Sequence, residues 1–179
     1  KVRKFATDRG IVLIFDECTS GFRQTFGGLH KMYGVEPDMA MFGKALGNGY
    51  AITATIGRRE IMEAAQSTFI SSTFWTERIG PTAALKTLEV MDRLKSWDTI
   101  TQTGLQIRQR WQQLADKHGL KIDHWGLPAL TGFTFQSAQA LAYKTLITQE
   151  MLGKGYLAGN SVYVSTEHTP DVVAAYFEA

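Results

Sequence analysis

The segment LIFDECTSGFR, residues 13–23, indicates the fold class, because an apolar run ends there on two adjacent carboxylates. The run begins at Ile11, directly after Gly10. A continuous stretch of β-branched and apolar residues is typical of a strand buried on both faces, as in a parallel sheet covered by helices. A carboxylate such as Asp16 at the end of that strand costs free energy unless a positively charged group meets it. We expect the rest of the chain to supply that group.

Further short apolar runs follow the first one and predict an α/β architecture. Residues 39–42 and 52–56 read as strands, and residues 58–66 read as a helix. The periodicity then predicts two long helices, over residues 81–97 and from Asp98 to a C-cap at Gly119; Gly104 weakens the second helix slightly. In the second helix the apolar side chains expected to face inward are Ile100, Leu105, Ile107, Trp111 and Leu114.

After residue 120 the pattern changes to short apolar runs around one helix. Residues 127–135 and 161–165 flank a predicted helix over 138–152, which indicates a small α+β unit. The predicted organisation is therefore part of a large α/β domain over residues 1–95. A connecting helix and an incomplete C-terminal α+β domain follow over residues 96–179. The form of both ends predicts a segment of a longer chain.

Bulk composition excludes several classes of partner. The 179 residues are 44% hydrophobic and 20% charged, as in an ordinary soluble globular protein. A formal net charge of +2 and the lack of a long apolar run favour neither nucleic acid nor membrane. Cys18 is the single cysteine, which suits a reducing compartment, and we expect the cytoplasm. The four histidines lack metal-ligand spacing, so no metal site is predicted.

Lys44, in the segment FGKALGNGYA, is the candidate partner of Asp16. Both residues follow strands, and the carboxyl ends of strands in α/β sheets are where ligands bind. A buried lysine among glycines leaves room for a planar ligand, and desolvation makes its amine a usable nucleophile. A Schiff-base lysine with an aspartate on a pyridinium nitrogen is the pyridoxal phosphate arrangement. The residues alone also allow Asp16 as a turn residue and Lys44 as a surface lysine.

Two motifs in order carry a resemblance to a known family. The segment FDECTSGFR is followed by YGVEPDMAMFGKALGNGYAITATIGRREIM, and together they resemble class III pyridoxal-phosphate aminotransferases. The nearest look-alikes are the glutamate-1-semialdehyde aminomutase group and its aminotransferase relatives. The resemblance implies the aspartate-aminotransferase-like fold, PLP-dependent transferase fold type I. The chain would hold part of its large domain and most of its small domain.

The resemblance also implies roles for five residues. Asp16 would bind the pyridinium nitrogen, Lys44 would hold the cofactor and move a proton, and Cys18 would pack on the ring. Thr73, with Ser72 as a weaker candidate, would bind the cofactor phosphate of the neighbouring subunit of a homodimer. The chain departs from the family where Trp75 begins a Trp-Thr-Glu-Arg segment in place of the usual Gly-Gly-Asn-Pro. A bulky Trp75 near the site argues mildly against a true aminomutase.

The predicted function is transfer of an amino group between an amine or amino acid and a carbonyl acceptor, through a Schiff base on Lys44. The alternative is intramolecular transfer of the glutamate-1-semialdehyde 2,1-aminomutase type. A less favoured alternative is a non-catalytic truncated relative. The phosphate cup, the ring-stacking aromatic and the carboxylate clamp of the family are not recognisable here, and no arginine follows Arg110.

Overall fold

The computed structural model describes residues 1–74 and 76–179, which form two compact units, Lys1–Lys95 and Ser96–Ala179. Each unit has its own three-stranded sheet and its own apolar core. Assigning these units to a large and a small domain of a bigger protein stays a prediction. Within the described residues no helix has both the length and the apolar character needed to cross a membrane.

The sheet of the first unit has the strand order β1-β2-β3. Its strands are β1 Ile14–Asp16, β2 Met39–Phe42 and β3 Ala54–Gly57. β1 runs parallel to β2, with Asp16 opposite Met41, whereas β3 is antiparallel to β2. The parallel pair therefore ends at one edge of the sheet, where the chain leaves β1 at Asp16 and β2 at Phe42.

The prediction of a strand over residues 11–15 buried on both faces was wrong. The strand begins only at Ile14, and Ile11, Val12 and Ile14 are 49%, 42% and 49% exposed. The reason is that β1 is an edge strand, since among the described residues only β2 pairs with it. Its apolar side chains therefore lack the covering layers that a central strand of a parallel sheet would have.

The helices of the first unit include three α-helices and three short 3-10 helices. The α-helices are α1 Val2–Asp8, α2 Arg59–Met62 and α3 Ile79–Leu94. The 3-10 helices are Leu29–Tyr33, Lys44–Leu46 and Glu63–Ser67. α1 ends at Asp8, and the φ of 63° at Gly10 lets the Ile11 N–H reach the Ala6 carbonyl at 2.9 Å. α3 packs Ala84 and Leu88 against the core beneath β2.

The second unit packs three helices with an antiparallel sheet of order β4-β5-β6. Its elements are α4 Ser96–Lys117, β4 Ile122–Trp125, β5 Leu130–Phe135, α5 Ala140–Gly153, β6 Ser161–Tyr163 and α6 Pro170–Glu178. α6 begins as its sequence indicates, with Thr169 accepting a hydrogen bond from the Val172 N–H at 3.4 Å. Ile107, Trp111, Phe133 and Val164 form the centre of the core.

One expectation about α4 was wrong. Leu105 and Leu114 do not face the core and are 43% and 42% exposed, because the buried face passes through Ile100, Gly104, Ile107 and Trp111. Gly104 also does more than weaken the helix. A Cβ at that position would lie 1.9 Å from the Pro128 carbonyl oxygen, so the glycine lets the β4–β5 connection approach α4 closely.

Candidate active site

Asp16 ends β1 with its side chain folded back on the following turn. Its Oδ1 accepts a hydrogen bond from the Cys18 backbone N–H at 3.0 Å. This bond lowers the pKa of the Asp16 carboxyl, as do the Cys18 side chain and the positive charge of Lys44, while partial burial opposes them. The carboxylate is exposed to solvent and is ionised at neutral pH. The end of β1 thus presents a fixed negative charge.

Cys18 follows Asp16 by two residues and is half-buried. Burial raises the pKa of its thiol, and the neighbouring Asp16 carboxylate raises it further against the opposing charge of Lys44. The thiol is therefore neutral at physiological pH and behaves as a small apolar group. A Cβ built on Gly43 would lie 3.6 Å from the Cys18 sulfur, so the chain after β2 passes directly beside this turn.

Lys44 follows β2 after Gly43 and starts the short 3-10 helix Lys44–Leu46. Its backbone is left-handed, with φ at 44°, a conformation that residues other than glycine and asparagine rarely adopt. Its Nζ donates a hydrogen bond to the Thr19 Oγ1 at 2.6 Å. The residue lines an open depression that also includes residues 49–53.

The expectation of a buried Lys44 was wrong, because its side chain is exposed to solvent. The glycine-rich turn after β2 points the side chain away from the core beneath the sheet, which closes instead around Phe42 and Leu46. The amine therefore lies open to an incoming molecule.

The structure brings Asp16, Cys18 and Lys44 together at the carboxyl edge of the parallel strand pair. The charge of Lys44 acts on both the Asp16 carboxyl and the Cys18 thiol. Among the described residues, however, no ion pair within 4.0 Å joins Lys44 to Asp16. A negative group and an amine thus lie near each other without neutralising one another by direct contact.

Ser72 and Thr73 are not brought to this group. Both are exposed, and the Ser72 hydroxyl accepts a hydrogen bond from the Phe74 N–H at 3.1 Å within its own turn. No hydrogen bond or ion pair connects the two residues to Asp16 or Lys44 in the part of the chain that the structure describes. Trp75, which was expected near the site, lies outside the described residues.

Thr19 was not predicted as part of the site, whereas Glu17, next to Asp16, is the loop-anchoring residue that its position indicates. The Thr19 hydroxyl contacts the Lys44 amine directly. The position of Thr19 within its motif does not predict this contact. Glu17 is only 4% exposed and accepts hydrogen bonds from the Ser20 hydroxyl and from the backbone N–H and ring Nδ1 of His30, both at 3.0 Å. Burial raises the pKa of Glu17, but these hydrogen bonds and one from the Leu29 N–H outweigh it and lower the pKa.

No group of three or more His, Cys, Asp or Glu side chains that could hold a metal ion occurs among residues 1–74 and 76–179. The glutamate beside Asp16 is engaged with its own loop, as described above. The candidate site therefore consists of a carboxylate, a thiol, a hydroxyl and an amine.

Comparison with protein families and curated proteins gives matches over most of the chain. A family model described as "Aminotransferase class-III" matches residues 1–167. The 3-aminobutyryl-CoA aminotransferase of Cloacimonas acidaminovorans is 38% identical over 149 residues, which are 83% of this chain and 36% of that protein. The glutamate-1-semialdehyde 2,1-aminomutase of Methanocaldococcus jannaschii is 32% identical over 146 residues, 80% of this chain and 34% of that protein.

Solved structures show the same fold over nearly the whole chain. The PLP internal aldimine form of the FumI protein of Sphingopyxis sp. MTA144 superposes with a TM-score of 0.89 at 25% identity, covering 98% of this chain and 43% of that one. An omega-transaminase from Sphaerobacter thermophilus gives a TM-score of 0.88 at 23% identity, covering 99% and 44%, and supports the fold alone. The chain spans less than half the length of these relatives.

Proposed function

Because this chain belongs to the class III aminotransferases, we propose that it supplies the cofactor-bearing lysine and the ring-binding carboxylate of a pyridoxal-phosphate-dependent aminotransferase. The resemblance read from the sequence and the predicted aspartate-aminotransferase-like fold are both confirmed by these likenesses. The observation that supports the proposed activity best is the meeting of Asp16 and Lys44 at one edge of the sheet.

The side chains at this edge fit pyridoxal phosphate. The ionised Asp16 carboxylate suits a protonated ring nitrogen, since a neighbouring negative charge favours the protonated form. The exposed Lys44 amine is open to an aldehyde, and the neutral Cys18 thiol offers a small apolar surface to a planar ring. Gly43 adds no side chain beside that thiol.

The proposed mechanism assigns each residue one task. Bound pyridoxal phosphate supplies an electron sink for the substrate carbon that loses or gains the amino group. Asp16 keeps the ring nitrogen protonated through its negative charge. Lys44 would hold the cofactor covalently, and its free amine would carry a proton to and from the reacting carbons as a general base and acid. Thr73, with Ser72 as the weaker candidate, would bind the cofactor phosphate of the neighbouring subunit.

The substrates proposed are a small amino donor and a carbonyl acceptor. A phosphate contact from Thr73 of the neighbouring subunit makes the proposed enzyme a homodimer, and the single cysteine suits a cytoplasmic location. Aminotransferases and aminomutases both occur among the relatives. The matching family model is that of aminotransferases, and the relative with 38% identity is named an aminotransferase, so intermolecular transfer is the function proposed.

The proposal is tested by trapping the attachment point. The full-length protein is incubated with pyridoxal phosphate and reduced with borohydride, and its intact mass is measured beside that of Lys44→Ala. The expected result is one reduced adduct on the wild type, mapped to the peptide containing Lys44, and none on the variant. An adduct of equal yield on Lys44→Ala, or none on the wild type, would overturn the proposal.

A further inference from the structure

We propose that Thr19 positions the free amine of Lys44 for its reaction with the cofactor aldehyde, an inference that rests on the proposed function. The Thr19 Oγ1 lies 2.6 Å from the Lys44 Nζ and accepts a hydrogen bond from it. The two residues are 25 positions apart, so the contact depends on the tertiary fold. It is the sole hydrogen bond of the Lys44 side chain among the described residues.

The nature of the acceptor matters for reactivity. A hydroxyl that accepts an N–H orients the amine while leaving the nitrogen lone pair of the neutral form free to attack. A direct ion pair with Asp16 would instead hold the amine as ammonium and would occupy the carboxylate proposed for the ring nitrogen. No such ion pair within 4.0 Å occurs in the described residues. The Lys44 amine is thus hydrogen-bonded to Thr19 and is not ion-paired with the Asp16 carboxylate.

Thr19 can direct the amine because its own turn is held firmly. The Gly21 N–H bonds to the Glu17 carbonyl at 2.8 Å, and the Ser20 hydroxyl bonds to the buried Glu17 carboxylate. A Cβ on Gly21 would lie 2.7 Å from the Phe42 ring, so this turn packs closely on the last residue of β2. Lys44 follows Phe42 after one residue, which places acceptor and donor on a shared support.

The step that Thr19 assists is a condensation without redox change. The neutral Lys44 amine attacks the aldehyde carbon, a C=N bond forms, and the C=O bond breaks. The carbonyl oxygen leaves as water with both protons of the amine. An amine whose position is restricted beside the incoming aldehyde reaches the productive geometry more often than one on a freely rotating side chain.

The experiment measures how fast the attachment forms. Cofactor-free, full-length protein is mixed with pyridoxal phosphate, and Schiff-base absorbance is followed by stopped flow, with borohydride trapping to confirm the Lys44 peptide. Thr19→Val removes the hydroxyl at nearly constant shape, whereas Thr19→Ser restores it. We expect about a tenfold slower reaction for Thr19→Val and a rate within about threefold of wild type for Thr19→Ser. The thermal midpoints of the two variants should match that of the wild type.

The outcomes separate this inference from the proposed function. A wild-type rate in Thr19→Val, with the adduct still on Lys44, overturns the role of Thr19 and leaves the function intact. Equal slowing in Thr19→Ser also overturns it, because the hydroxyl would then not be the cause. An adduct on Lys44→Ala overturns the function itself. If Thr19→Val lacks a folding transition, Thr19→Ala takes its place in the comparison with Thr19→Ser.

Discussion

The Asp16 carboxylate and the Cys18 backbone N–H are joined by a 3.0 Å hydrogen bond that turns the chain at the end of β1. The same bond is the largest influence lowering the pKa of Asp16. One interaction therefore holds the turn and also favours the ionised form of the Asp16 carboxyl. The carboxylate is ionised and oriented by its own chain, independently of any ligand.

Asp16→Asn removes the negative charge of this residue but keeps the oxygen that accepts the hydrogen bond of the turn. The asparagine Oδ1 still accepts the Cys18 N–H, so we expect a thermal midpoint within a few degrees of wild type. The loss of negative charge opposite the ring nitrogen should reduce the amino-transfer rate by about 10²–10³-fold. Single-turnover kinetics of the full-length holoenzyme measure the rate. A rate equal to that of wild type would contradict the role of Asp16.

Glu17 should make the stability of the protein dependent on acid pH. Its pKa is lower in the folded protein than its ordinary value of 4.5, so its stabilising contribution is present above that pH. The contribution is lost as pH falls through the folded pKa. Glu17→Gln should therefore be less stable by about 1.5–3 kcal/mol at pH 7, and the difference from wild type should shrink between about pH 5 and pH 3.

Urea unfolding at a series of pH values measures this difference for Glu17→Gln. Glu63→Gln is the matched control, because Glu63 lies exposed at the start of a 3-10 helix. Its unfolding free energy should stay within about 0.5 kcal/mol of wild type at every pH. A stability gap for Glu17→Gln that does not change with pH would show that the ionised carboxylate is not the stabilising form.

Gly104→Ala should destabilise the second unit, although the opposite is expected for a glycine inside a helix. Helix propensity alone predicts a gain of about 1 kcal/mol. A Cβ at Gly104 would collide with the Pro128 carbonyl oxygen, and relieving that collision should cost about 1–3 kcal/mol. Gly153→Ala, whose Cβ would meet nothing within 4 Å, is the control and should be neutral or slightly stabilising. Chemical denaturation of both variants decides between propensity and packing.

Tyr176→Phe removes the acceptor of a buried indole. The Trp111 Nε1 donates to the Tyr176 hydroxyl at 3.0 Å, and Trp111 is 5% exposed. We expect a loss of about 1–3 kcal/mol, since the indole N–H is left unpaired. Tyr163→Phe, at a tyrosine that is 60% exposed, should change the unfolding free energy by less than about 0.5 kcal/mol.

Tyr176 should also make the unfolding free energy depend on pH in the alkaline range. Burial raises the pKa of Tyr176 above its ordinary value of 10.0, against a smaller lowering by the Trp111 hydrogen bond. Its stabilising contribution is therefore present below about pH 10 and declines as pH rises further. Unfolding measurements between pH 8 and pH 11 should show the gap between wild type and Tyr176→Phe narrowing. A constant gap would indicate a packing effect.

Local chemistry explains which elements were predictable from the sequence. The strand over residues 39–42 was predicted, because it depends on a local run of apolar residues. The end of α1 before Gly10 and the start of α6 after Thr169 likewise depend on neighbouring residues. β4 was missed, because a four-residue strand containing Asp123 and His124 is defined mainly by its pairing with β5. The exposure of β1 likewise depends on which strands and helices lie beside it.

Part of the candidate site was also predictable from the sequence. Asp16 and Lys44 follow strands, and the parallel pairing of β1 with β2 brings their ends together as the sequence indicates. The exposure of Lys44 and the contact of its amine with Thr19 depend on how the glycine-rich turn after β2 folds back on the turn after β1. A threonine inside a motif gives no sign of a partner 25 residues away.

The backbone of Lys44, the residue proposed to hold the cofactor, has a left-handed conformation that opposes folding. A lysine in that conformation is strained by about 1 kcal/mol relative to glycine, which adopts it freely. Lys44→Gly should accordingly unfold at higher denaturant concentration than Lys44→Ala, while both lack the amine. Selection for the stability of the folded state alone would favour glycine at this position. Directed evolution that enriches only for soluble expression would therefore favour glycine at position 44 and remove the proposed attachment point.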